Sequence, residues 1–301
     1  MNDASGTRSR LSWLLRPWLI FVLQQTLIFV SAVAFLRTIR ALTGHTVHRA
    51  ADSIGVLEAV GIVAMYGAHL GLTSWLHRRT KADGDEPMGL ALTLPRAAQC
   101  AGAALVAFVL YGWPWLIALA TGEAHVVDRL AAHRSEAPGA QVGFWLMALV
   151  LNSVVEEFTN RAFPMRVLQG RALWVRVVIP SLIFALVHLA DEPFRMSAFV
   201  SRALTGMTLS LAYAATGNIW LAVGAHTGIN YSIIWRAGSW HAGSLAMLAG
   251  TPVLAEELVE PSSAALAFAA YLLWSKSRDR QGRGRERYRA GVVPVTPRNC
   301  L

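Results

Sequence analysis

The chain has 301 residues, of which 54% are hydrophobic and 15% charged, and a net charge of +9. Soluble domains carry about 25% charged residues, so this composition excludes an ordinary soluble domain and points to a polytopic membrane protein. The cysteines, Cys100 and Cys300, lack metal-type spacing, and only Leu301 follows Cys300, which is too short for a prenylation signal.

In chain order, residues 1–16 are polar and carry Arg8, Arg10 and Arg16, like a signal-peptide n-region. The apolar stretch that follows, Trp18 to Leu36, lacks a cleavage site and approaches the roughly 20 residues that span a bilayer, so it reads as a first transmembrane helix. A short loop is expected from Arg37 to Asp52, then a second span from Ile54 to Leu76. Within that span Glu58 is placed near the headgroups and His69 against a neighbouring helix. His77 to Pro87 reads as a solvated loop, Met88 to Pro95 as an interfacial stretch, and Gln99 to Ala120 as a third span bent near Gly112 and Pro114. Glu123 to Gln141 is expected to be an external loop.

Gly143 to Leu168 is the fourth span. Arg166, Arg171 and Arg176 mark a cytoplasmic turn after it. Val177 to Ala190 is the fifth span, closed by Asp191-Glu192-Pro193 on the far side. Met196 to Ala215 is the sixth; it carries Arg202 and a small-residue face at Gly206, Ser210 and Ala214. A tight turn at Thr216-Gly217-Asn218 leads to the seventh, Ile219 to Trp235. A loop with Glu256, Glu257 and Glu260 precedes an eighth, Pro261 to Ser275. The tail then holds Lys276, Arg278, Arg280, Arg283, Arg285, Arg287 and Arg289 against Asp279 and Glu286, a net +5. Behind an apolar helix this is a cytoplasmic tail beside anionic lipid rather than a nucleic-acid site.

The expectation is an all-α, polytopic transmembrane bundle of about eight helices around a central polar cavity, with both termini cytoplasmic. The Ala- and Arg-rich composition is compatible with a bacterial plasma membrane.

Three polar stretches interrupt the apolar pattern. Asn152 to Arg161 reads NSVVEEFTNR and contains Glu156, Glu157 and Arg161. Ionisable side chains are costly at membrane depth and usually face a protein interior or a wet cavity. Glu157 and Arg161 are i,i+4 and can pair, while Glu156 is turned by about 100° and faces elsewhere. Phe184 with His188, and His226 with Asn230, repeat the i,i+4 spacing on later helices. At about 1.5 Å per residue, Glu156 lies roughly 20 Å and His188 roughly 25 Å along their helices from a turn at residue 170, and His226 roughly 13 Å from Gly217. Those depths are compatible with one shared cavity.

Each stretch alone has a structural explanation: a buried ion pair for Glu157 and Arg161, interhelical hydrogen bonds for the histidines. Together, with Glu156 left over, they favour a hydrolytic site. Glu156 and His188 can hold and deprotonate a water, and His226 and Asn230 can donate to an oxyanion. No GxSxG or HExxH motif is present. Glu156, His188 and His226 remain an alternative zinc ligand set.

Glu156-Glu157-x-x-x-Arg161, Phe184-x-x-x-His188 and His226-x-x-x-Asn230, in this order on successive apolar helices, resemble the CPBP family. This is the CAAX-protease and bacteriocin-processing group of intramembrane proteases, related to the Rce1-like prenyl-protein endopeptidases. The approach Gly217 to His226, GNIWLAVGAH, is similar too. The resemblance covers roughly Gly143 to Ile234. It implies a membrane endopeptidase in which Glu156 is the catalytic glutamate and His188 its partner on water. His226 and Asn230 would stabilise the oxyanion, with Glu157, Arg161 and Phe184 in support.

On this basis residues 1–142 hold about three N-terminal helices, 143–235 the Rce1-like protease core, 236–275 a loop and the last helix, and 276–301 the tail. A metal-free glutamate mechanism is the preferred reading, with no cofactor; zinc is the alternative. The substrate would be a membrane-embedded or lipid-associated peptide or protein. A non-catalytic immunity or regulatory protein on the same scaffold is the competing class. Two positions depart from the family pattern: Ala162 stands where Gly is common, and Asn160 where an aromatic is usual.

Overall fold

The computed structural model describes residues 4–43, 56–80, 89–127, 138–188, 194–237 and 247–250, with scattered positions between 262 and 276. Several expected features lie outside this set: Asp191-Glu192-Pro193, the acidic loop residues Glu256, Glu257 and Glu260, the basic tail beyond Lys276, and the side chain of Glu58.

Helices carry the fold. They are α1 (Ala4–Thr43), α2 (Val56–Thr80), α3 (Leu94–Thr121), α4 (Pro138–Glu157), α5 (Phe163–Val167), α6 (Leu173–Val187), α7 (Met196–Thr216) and α8 (Ile219–Ala237). The described positions between 262 and 276 are also helical. Two stretches among the described residues are long and apolar enough to cross a membrane, Trp18–Phe35 and Leu94–Trp113, and Leu173–Val187 is a shorter apolar helix.

The boundaries differ from expectation for physical reasons. The first helix does not stop at Arg37 but runs to Thr43, because the stretch after Leu36 has charge but no Gly or Pro to break a helix. The second runs to Thr80 and takes in His77, Arg78 and Arg79. Cations in a last turn are favoured by the helix dipole, so residues assigned to a solvated loop instead finish the helix. α3 starts earlier than expected, at Leu94, with Pro95 in its first turn and a left-handed Gly122 as its C-cap. It runs unbroken past Gly112 and Pro114.

Two expected loops contain a short ladder. Strand β1 (Ala124–Val127) pairs antiparallel with β2 (Met247–Gly250), with Ala124 opposite Gly250 and Val127 opposite Met247. The helical bundle thus carries a two-stranded addition.

The turn at Gly217 is as expected: Gly217 has φ +60° and its N–H donates to Tyr213 O, 2.8 Å away. Gly89, at φ +66°, lies against this turn so closely that a Cβ on it would stand 2.1 Å from Gly217 O. Asn218 Nδ2 donates to Gln99 Oε1 at 2.7 Å, and Trp220 Nε1 to Leu90 O at 3.1 Å. These contacts fix the start of α8 against α3.

α8 is pressed further onto α3 at Gly224 and Gly228. A Cβ at Gly224 would lie 2.0 Å from Cys100 O, and one at Gly228 2.1 Å from Ala104 O. This is a small-xxx-small contact, which lets two backbones approach directly. The expected small face of α7 is used only in part. Gly206 packs on Ser181, 3.0 Å from where its Cβ would be, and Ser210 is buried, but Ala214 is exposed. The main apolar core joins Phe158, Met165, Val177, Leu209, Tyr213 and Val223, so it lies between α5, α6, α7 and α8.

Candidate active site

The fourth expected span is not one α-helix. After Glu157 the chain makes a π turn, Phe158–Ala162, and all five of its residues are buried. Phe163 N–H donates to Phe158 O, one residue beyond the α register. Pro164 then opens α5. In a continuous α-helix its ring would clash with the carbonyl of Asn160 and its missing N–H would leave a bond unmade. The local wider turn accommodates both, and such π bulges are frequent at functional sites. The two family departures, Asn160 and Ala162, fall inside this buried turn.

The turn separates the two glutamates in environment. Glu157 is fully buried, while the Glu156 side chain is 24% exposed. Arg161 Nη1 lies 2.9 Å from Glu157 Oε1 and is itself only 1% exposed. Its guanidinium carbon stands 4.1 Å from the centre of the Phe184 ring. A weakly hydrated guanidinium stacks well on an aromatic face, so Phe184 covers the charge that Glu157 neutralises.

His226 reaches both carboxylates. Its Nδ1 is 2.7 Å from Glu157 Oε1 and its Nε2 is 3.6 Å from Glu156 Oε2. A carboxylate accepts, so an Nδ1–H donated to Glu157 orients the ring and turns Nε2 toward Glu156. The approach is possible because α8 is held against α3 on its glycine side. His226 is two residues from each glycine, about 200° around the helix, so it faces away from α3 and toward α4.

His188 caps α6, with Nδ1 2.8 Å from Phe184 O. The carbonyl can only accept, so Nδ1 bears the hydrogen and Nε2 keeps its lone pair. The Phe184 ring meets His188 edge-on at 4.6 Å and His226 at 5.9 Å. Phe184 therefore touches Arg161, His188 and His226 together. Asn230 lies one turn after His226, half-buried, with no side-chain hydrogen bond among the described residues.

The glutamates, Arg161, Phe184, His188 and His226 are thus brought together, and Asn230 follows on the His226 face. Oε2 of each glutamate is buried and accepts no hydrogen bond within the described residues. No group of three His, Cys, Asp or Glu side chains among the described residues is arranged to hold a metal ion. Elsewhere, His69 bonds to Ser31 of α1 at 2.7 Å, as expected for a helix-to-helix contact. Arg166, read as marking a cytoplasmic turn, is buried with Nη1 3.2 Å from Thr80 Oγ1 and 3.4 Å from His77 O at the α2 terminus.

Several contributors went unread in the sequence. Gln24 and Gln25 are fully or almost fully buried on α1 and bond into the π turn. Two adjacent glutamines in an apolar span were the available signal. Tyr66 of α2 donates its hydroxyl to Asn152 Oδ1, one turn before Glu156. Gly224 and Gly228 spell GxxxG, and Pro164 announces the break after Glu157.

Residues 138–232 match the family described as type II CAAX prenyl endopeptidase, Rce1-like. The matched stretch holds every motif residue of the site. Helices α1 to α3 lie outside it. No curated protein and no solved structure gives a significant match to the chain.

Proposed function

We propose that the protein is an intramembrane endopeptidase that hydrolyses a peptide bond of a membrane-associated peptide or protein by a glutamate-activated water. The observation that carries this is the split pair of glutamates bridged by one imidazole. Glu157, buried and paired with Arg161, orients His226, and this leaves Glu156 with partial exposure beside His226 Nε2. A positioned carboxylate in a semi-dry site is suited to general base catalysis.

In the proposed cycle Glu156 takes a proton from water, aided by the free Nε2 of His188. The water oxygen adds to the scissile carbonyl carbon. Asn230 Nδ2–H and His226 Nε2–H, on the ring held by Glu157, donate to the developing oxyanion. The proton held on Glu156 then passes to the leaving amine as the C–N bond breaks.

A cavity of about 400 Å³ supports a lipid-associated substrate. It is lined by Leu110 and Tyr111 of α3, Leu209 of α7, and Ala225 and Ile229 of α8. Ala225 immediately precedes His226 in sequence, and Ile229 immediately precedes Asn230. Apolar pockets with few polar groups suit hydrocarbon ligands. The prenylated peptides named in the family's description are therefore the first substrate class to try.

Membrane proteomics comparing the wild type with Glu156→Ala tests the proposal. A peptide processed only in the wild type is expected, and a quenched-fluorescence farnesylated peptide serves as reporter in purified samples. Normal processing by a stably inserted Glu156→Ala variant would overturn it and favour the scaffold role. Activity lost to a chelator and restored by zinc would replace the metal-free route with a metal-dependent one.

A further inference from the structure

Pro164 leaves a deficit in the π turn. Phe163 N–H is taken by Phe158 O. The next bond in that register would run from the N–H of residue 164 to Thr159 O, and proline has no N–H. Thr159 is 2% exposed, so water does not reach it freely. Within a membrane protein, a carbonyl freed in this way has to be satisfied by neighbouring helices.

The donors come from α1. Gln24 Nε2 lies 3.2 Å and Gln25 Nε2 3.4 Å from Thr159 O. Gln24 is 0% and Gln25 5% exposed. Gln25 Nε2 also donates to Gln24 Oε1 at 2.8 Å, and Gln24 Nε2 to Thr73 Oγ1 of α2 at 3.0 Å. Two amides thus converge on one carbonyl, and the same amides are tied to each other and to α2. The carbonyl belongs to the turn between Glu157 and Arg161.

We propose that Gln24 and Gln25 are positioning residues for the site: by capping the Thr159 carbonyl orphaned by Pro164, they hold the π turn and so keep Glu156 and the Glu157–Arg161 pair in register with His226. This rests on the peptidase reading for its catalytic consequence, but the geometry it asserts is independent of it. Without the amides, the turn can relieve the orphaned carbonyl only by opening or by changing its winding. Either movement rotates Glu156 and Glu157 against α8. A segment outside the matched family region would then set how well the catalytic carboxylate is aimed.

The test uses the full chain in nanodiscs and four forms: wild type, Gln24→Leu/Gln25→Leu, Pro164→Ala, and all three substitutions together. Hydrogen exchange of residues 158–168 is followed by mass spectrometry, and kcat and KM are followed with the farnesylated reporter. The glutamine double variant should exchange this segment about tenfold faster, the size expected of one unmet buried acceptor. Its kcat should fall by about tenfold with KM little changed, because aiming rather than binding is lost. Adding Pro164→Ala restores an N–H to the turn and should recover much of both effects. A simple packing defect would not be repaired by that distant substitution.

Unchanged exchange and kcat in the double variant, or no recovery in the triple variant, would overturn the proposal. If the double variant does not accumulate, Gln25→Leu alone keeps the two bonds that Gln24 donates, to Thr159 O and Thr73 Oγ1; a smaller rise in exchange is expected, and none would count against the idea. Should Glu156→Gln cleave the reporter as well as the wild type, the peptidase reading fails. The exchange measurements still decide the role of the glutamines.

Discussion

The two halves of the site are held by opposite means. α8, which carries His226 and Asn230, is set against α3 by what is missing: Gly224 and Gly228 let the backbones meet where a Cβ would lie 2.0 and 2.1 Å from a carbonyl oxygen. α4 and the π turn, which carry the glutamates, are set against α1 and α2 by polar side chains. Gln24, Gln25 and Tyr66 reach across to Thr159 O and Asn152, and Arg166 returns to the end of α2. Close packing fixes distance and leaves no adjustable group. Hydrogen bonds fix orientation and depend on each donor keeping its acceptor. The closely packed half thus presents the imidazole, and the hydrogen-bonded half aims the carboxylates.

Arg161→Ala should break the polar half most severely. It leaves Glu157 buried and facing only His226, and removing one partner of a buried pair costs about 3–5 kcal/mol. Unfolding in a detergent titration would measure it. Arg161→Lys should recover part of the stability through charge, but not the stacking on Phe184.

Gly224→Val strikes the packed half. Its Cβ has no room against the Cys100 backbone, and a cost at the upper end of overpacking, about 3 kcal/mol, is expected. The same titration should show it, and substitution at Cys100 should not rescue it because the clash is with main chain. A mild effect would mean that α3 and α8 can separate and that close packing does not fix α8.

Tyr66→Phe is the smallest change. It removes one interhelical hydrogen bond to Asn152, and such bonds in membrane proteins average about 0.6 kcal/mol. Stability should therefore hardly move. If turnover of the reporter fell much further than that, Tyr66 would belong to the site's chemistry as well as to its packing.

Much of the site could be read from local spacing. Glu157 and Arg161 face one another because they are i,i+4, and that relation survives the wider π turn. Phe184 and His188 do meet one turn apart. The contact between His226 and Glu157 joins residues 69 apart in sequence and has no local signature. His226 has its Nδ1 engaged by Glu157, so that only Nε2 is left to face Glu156. The first two helices run beyond Arg37 and His77, to Thr43 and Thr80, because charged residues do not by themselves end a helix.

The sequence by itself determined a largely helical, apolar chain with a few costly polar residues, because composition and i,i+4 spacing are local properties. It also contained Pro164 and GxxxG, whose meaning depends on a partner. Which glutamate is buried and which is left facing the imidazole is set by packing between helices. The tertiary structure alone shows that a glutamine pair on α1 answers the carbonyl that Pro164 leaves open, and that α3 is the backbone the α8 glycines meet. The physical reason is that hydrogen-bond satisfaction and close packing are settled between helices, and no single helix's sequence specifies its neighbour.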